Sequence, residues 1–131
     1  MKIINEKDVS EKVVPGRFLR WIVSKDDGLD SEFCSCCIMR VAPGQTVKPA
    51  HSHPDGEELI YVIKGNGNVY VDGLIRPINE GTAVLFERGS VHIVRNSYDG
   101  EMKVICFFAP ATNLSEYRFY PEVTFEDGKE G

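Results

Sequence analysis

No stretch of this sequence is apolar for the roughly eighteen residues that a membrane-spanning helix needs. Its opening, Met1-Lys2-Ile3-Ile4-Asn5-Glu6-Lys7, lacks the apolar centre of a secretory signal. Positive charge is also short, with 15 Lys and Arg against 20 Asp and Glu and a net charge of −5. That balance excludes the basic stripe a nucleic-acid surface requires, and no run of like charge is long enough to act as a tail. Neither an internal repeat nor a helical period of apolar residues is present. The expectation is a cytoplasmic protein with neither membrane nor nucleic-acid partners.

Cysteine is sparse but even in number: Cys34, Cys36, Cys37 and Cys106. Disulfides belong to exported chains, and no export signal is seen, so four free thiols are expected. Cys34-Ser35-Cys36-Cys37 lies in an apolar run, where thiols pack as small hydrophobic groups. A soft-metal or redox site would need a second cysteine pair at ligand spacing, which the chain lacks.

What remains is a string of short β-forming segments. At 131 residues, with 42% hydrophobic and 27% charged, the chain suits a single soluble domain over 1–131. Met1–Asn5 reads as an edge strand. Phe18–Val23, Phe33–Val41, Glu58–Ile63, Asn68–Val71, Leu74–Arg76, Thr82–Phe86, Val91–Arg95 and Lys103–Phe108 follow, and Ser115–Phe125 reads as a further strand. Asp72-Gly73 has the chemistry of a two-residue hairpin turn. Gly65, Gly81 and Gly89 fall between strands as corner residues. Phe33, Tyr61, Tyr70, Phe86, Phe107 and Phe108 read as core, and 126–131 as a flexible tail. Many short segments divided by Gly, Pro, Asn and Asp predict an all-β sandwich or barrel.

Only three histidines occur, and all fall in one constellation. His51-Ser52-His53-Pro54-Asp55-Gly56-Glu57-Glu58 carries two, and His92 the third. In an extended segment His51 and His53 project to one face, roughly 6.5 Å apart. Imidazoles converging with a carboxylate suit a divalent metal of borderline hardness.

The same residues resemble the two motifs of the cupin family. Gly44-x6-His51-x-His53-x4-Glu58-x6-Gly65 is similar to the first, and Gly81-x5-Glu87-x-Gly89-x2-His92-x3-Asn96 to the second. The chain departs from the usual pattern by one extra residue after Gly44 and by Glu87 in place of a proline. Neither departure touches a ligand position.

The resemblance implies a jelly-roll barrel spanning 1–131, with motifs at 44–65 and 81–96. It also implies one divalent transition metal per chain (manganese, iron, nickel, zinc or cobalt) on His51, His53, Glu58 and His92. Glu57 is the competing carboxylate, but it lacks the six-residue spacing to Gly65 and would face the other way. Alternation places Ile60 and Val62 on the Glu58 face, and Val94 and Asn96 on the His92 face. Arg40, Lys48, Arg76 and Arg95 are candidates to select an anionic substrate.

Fold alone does not set function. The expected function is metal-assisted lyase, isomerase or decarboxylase-type chemistry on a small polar or anionic metabolite, such as a carboxylate or sugar acid. A metal-dependent dioxygenase and a non-catalytic binding or sensor barrel are the alternatives. Exposed sheet edges, and the habit of cupins to pair through their sheets, point to a homodimer.

Overall fold

A computed structural model describes residues 1–131 and is built almost wholly of strands. In chain order these are β1 Lys12–Val14, β2 Arg17–Val23, β3 Ser35–Val41, β4 Ala50–Ser52, β5 Glu57–Lys64, β6 Asn66–Val71, β7 Leu74–Asn79, β8 Ala83–Phe86, β9 His92–Arg95, β10 Met102–Ala109, β11 Arg118–Tyr120 and β12 Lys129–Glu130. They form two six-stranded sheets, ordered β1-β2-β3-β10-β5-β8 and β11-β4-β9-β6-β7-β12. No helix is long and apolar enough to cross a membrane.

The sheets face each other because alternate residues of each strand are apolar and must leave water. In β5, Glu58, Ile60 and Val62 are buried while Glu57, Leu59 and Tyr61 are exposed. Val104, Cys106 and Phe108 of β10 and Phe86 of β8 join them in one core, closed from the second sheet by Val69, Ile78 and Val94. The continuous apolar run of β3 is buried on both faces, with Arg40 the one half-buried position. This is why it lacks the alternation of a half-exposed strand. All four cysteines are free, with Cys36, Cys37 and Cys106 buried.

Turns expected from the sequence are in place. Val71 pairs with Leu74, and Asp72 and Gly73 both take positive φ, as a tight hairpin requires. Gly65, Gly81 and Gly89 also take positive φ at strand ends. Gly16 holds the β1–β2 turn at φ 78°, and a Cβ there would lie 1.8 Å from the Thr46 carbonyl oxygen. Only glycine fits, and that close approach seats the next residue, Arg17, at the inner end of β2.

Several expectations require correction. Met1–Asn5 forms no strand; Asn5 instead caps a 3-10 turn over Glu6–Asp8 by accepting a hydrogen bond from the Lys7 amide. Ser115–Phe125 is not one strand. Asn113 caps a 3-10 turn at Leu114–Glu116, β11 is three residues long, and Pro121, which has no N–H to donate, follows its end. Residues 129–130, expected within a flexible tail, pair in parallel with β7. Phe33, Tyr61 and Phe107 are exposed rather than core, Phe33 in the bend before β3 and the others on the outward phase of β5 and β10. Tyr70, Phe86 and Phe108 are buried as expected.

Candidate metal centre

The strands bring the three histidines and Glu58 together. His51 on β4 is paired in register with His92 on β9. His53 follows β4 by one residue, and Glu58 enters from the opposite sheet on β5. One ligand atom from each of the four lies within 4.8 Å of all the others, and all four residues are buried. Glu57 faces out, so the carboxylate in the cup is Glu58.

Aromatic walls hold the rings. Phe86, opposite Glu58 across β5 and β8, stacks on His92 at 3.8 Å and 3°. Phe108, opposite Glu58 across β10, meets His53 edge-on at 5.2 Å. Tyr117 lies parallel to His51 at 5.1 Å and edge-on to His53 at 4.4 Å. No motif pointed to Tyr117, which lies past the last core strand and reaches the cup only because β11 folds back on β4.

Hydrogen bonds set the tautomers. His51 Nδ1 is 3.0 Å from the Pro49 carbonyl, and His92 Nδ1 is 3.1 Å from the Ser90 carbonyl. A carbonyl only accepts, so each ring carries a proton on Nδ1 and turns Nε2 inward, where a metal ion could take its lone pair. Glu58 Oε1 meets His92 Nε2 at 3.1 Å and His53 Nε2 at 2.8 Å. The His53 ring has a proton to offer there, leaving its buried Nδ1 without a partner. His92 Nε2 faces the same oxygen, so either a proton on that nitrogen or a metal ion in its place must stand between the two.

Charge follows the same lines. Burial opposes ionisation of Glu58, but the imidazoles of His53 and His92 outweigh it and hold the carboxyl well below its usual range. Burial, aided by His92, pushes the His51 imidazole down to about 3, which keeps it neutral. An ionised carboxylate with inward imidazole lone pairs is a donor set that fits a divalent transition metal.

The cup opens into a cavity of about 20 Å³ lined by His51, Glu58, His92, Phe86, Tyr117 and Arg17. That is room for a small terminal group of a ligand rather than for a large ligand as a whole. Ile60, Val62 and Val94 line the core beside it as alternation requires, while Asn96 is spent on the Val41 and Gly100 carbonyls. The four basic candidates lie elsewhere. Arg40 is bound by Glu11 and Glu101, Arg95 by Thr46 and Glu126, and Lys48 and Arg76 are exposed. The buried cation at the cup is Arg17, which carries no motif.

A Cupin domain family model matches residues 37–108. The polyketide synthase CurC of Streptomyces cyaneus is 27% identical over 110 residues, covering 83% of this chain and 70% of that protein. The polyketide cyclase RemF of Streptomyces resistomycificus superposes with a TM-score of 0.76 at 23% identity, covering 97% of this chain and 89% of that one. An oxalate decarboxylase of Bacillus subtilis superposes at 0.77 with 20% identity; the match covers 89% of this chain and only 32% of the decarboxylase. With both histidine-bearing motifs inside the matched segment and the two-sheet barrel around them, the chain belongs to the cupin family.

Proposed function

We propose that this protein holds one divalent transition metal on His51, His53, Glu58 and His92 and uses it for lyase, isomerase or decarboxylase-type chemistry on a small polar or anionic metabolite. The observation that carries the proposal is the convergence of His51, His53, Glu58 and His92, all buried, with one ligand atom from each within 4.8 Å of the others. A bound divalent ion supplies Lewis acidity, polarising a substrate oxygen or acidifying water.

The chain's own residues do the rest. Glu58 contributes the negative charge, the Pro49 and Ser90 carbonyls aim the imidazoles, and Phe86, Phe108 and Tyr117 keep bulk water away from them. The small cavity favours a compact substrate. Similarity to proteins named as a polyketide synthase, a polyketide cyclase and a decarboxylase supports an enzyme over a binding barrel.

The test is a screen of small carboxylates, uronates and keto sugars against protein loaded with each metal, with and without oxygen. Anaerobic product formation that needs the metal and is lost in Glu58→Gln is expected. Oxygen uptake would instead select a dioxygenase, and a tightly bound metabolite recovered unchanged from every metal form would select the binding barrel.

A further inference from the structure

We propose that Arg17, assisted by the Tyr117 hydroxyl, is the anion-recognition element of the cup, so that the ligand taken beside the metal-binding residues is a small carboxylate. The proposal rests on the functional reading above only for the metal; the anion site stands on its own geometry.

Arg17 is 6% exposed, yet it faces no carboxylate within ion-pair distance. Its hydrogen bonds all leave from Nη1, to the carbonyls of Pro15 at 3.0 Å and Lys48 at 3.4 Å. Nε and Nη2 donate to no protein acceptor, and neither is among the side-chain atoms sealed without a partner. Arg17 lines the cavity with Glu58, His51 and His92, so a residue with two unused donors borders the cup. Water can reach these two donors, but a carboxylate matches the planar fork of a largely buried guanidinium and meets its charge as well.

Tyr117 lines the same cavity, and its hydroxyl makes no hydrogen bond within the protein. A phenol beside a guanidinium supplies a further donor to one anionic oxygen. The charge balance agrees: Glu58 and Arg17 offset one another, so the charge of a divalent ion would stand uncompensated until an anion enters. The cleft on the His53 side is lined by Asp55, Glu57 and Glu116 and repels anions, which leaves the Arg17 wall as the cationic one. Arg40 and Arg95, already held by carboxylates, are not competing anchors.

The experiment is an NMR titration of the zinc-loaded and the metal-free full chain with acetate, and with acetamide as the neutral isostere. Zinc content is measured first, so that failure of the metal site is seen separately. Acetate should shift the Arg17 Nε–H resonance, and acetamide should bind at least about tenfold more weakly. Arg17→Gln should lower acetate affinity by about tenfold to a hundredfold while leaving zinc content unchanged, and Tyr117→Phe by a smaller factor. Arg17→Lys keeps the charge but not the fork and should fall between; it also serves if Arg17→Gln does not fold. Equal acetate affinity in wild type and the folded Arg17 variant, equal binding of acetate and acetamide, or no acetate binding to the wild type would each overturn the proposal.

Discussion

His92 presents Nε2 to Glu58 Oε1 at 3.1 Å while committing Nδ1 to the Ser90 carbonyl. A neutral ring cannot donate to both, so the pair is held either by a second ring proton or by a metal ion that takes its place. About one divalent ion per chain is expected by metal analysis. His51→Ala/His53→Ala should bind it worse by more than the roughly 10–100-fold that an outer-shell partner costs, with the far-ultraviolet dichroism of the β fold retained. Full occupancy in that variant would sink the ligand assignment.

The metal-free protein should lose stability in acid. His51 is lowered to about 3 in the folded state by burial. The unfolded chain, with an ordinary imidazole near about 6.5, therefore binds the extra proton first. Stability then rises with pH between these values, and falls as pH drops from about 6.5 towards 3, by up to about 1.4 kcal/mol per pH unit. Glu58 acts in the same sense lower down, because its depressed carboxyl gives stability above the unfolded value that is lost as acid protonates it. Urea melts of the chelated protein from pH 7 to 4 measure the slope, and His51→Gln should flatten its upper part. An unchanged slope in that variant would contradict the assignment.

The turn that carries Arg17 should tolerate no side chain. Gly16→Ala combines a φ of 78° with a Cβ 1.8 Å from the Thr46 carbonyl oxygen, and is expected to cost about 2 kcal/mol or more. Gly44, also at positive φ but with nothing within 4 Å of a Cβ, is the control and should lose less. Thermal melts of the two variants compare them, and equal losses would refute the steric account.

The outer face of the β10-β5-β8 sheet carries Leu59, Tyr61, Ile63, Leu85 and Phe107, each 40–52% exposed. Apolar residues on these adjacent strands, where a solvated face would be polar, are expected to cover one another in a homodimer. Light scattering at micromolar concentration should give twice the chain mass. Leu59→Glu/Phe107→Lys should give the monomer, since the two positions are cross-strand neighbours and the new charges satisfy each other within one chain. A wild-type monomer would remove the prediction.

Much of the barrel and nearly all of its centre are local properties of the chain. Alternation in β5 separates Glu58 from Glu57, the Asp72-Gly73 turn closes its hairpin, and the spacing of His51, His53 and His92 carries their convergence, because side-chain direction along a strand has period two. Other features depend on contacts distant in sequence. Met1–Asn5 looks like a strand, yet a local Asn5 cap diverts it. Tyr61 and Phe107 look like core, yet which face of a strand is buried depends on the sheet opposite. Arg17 has no motif; only the packing of Gly16 on Thr46, and of β11 on β4, encloses it with Tyr117 beside the histidines. The convergence of the three histidines with Glu58 is thus legible from spacing, whereas the guanidinium proposed to meet the ligand's charge is decided by tertiary burial, which encloses one arginine and leaves the others solvated or paired.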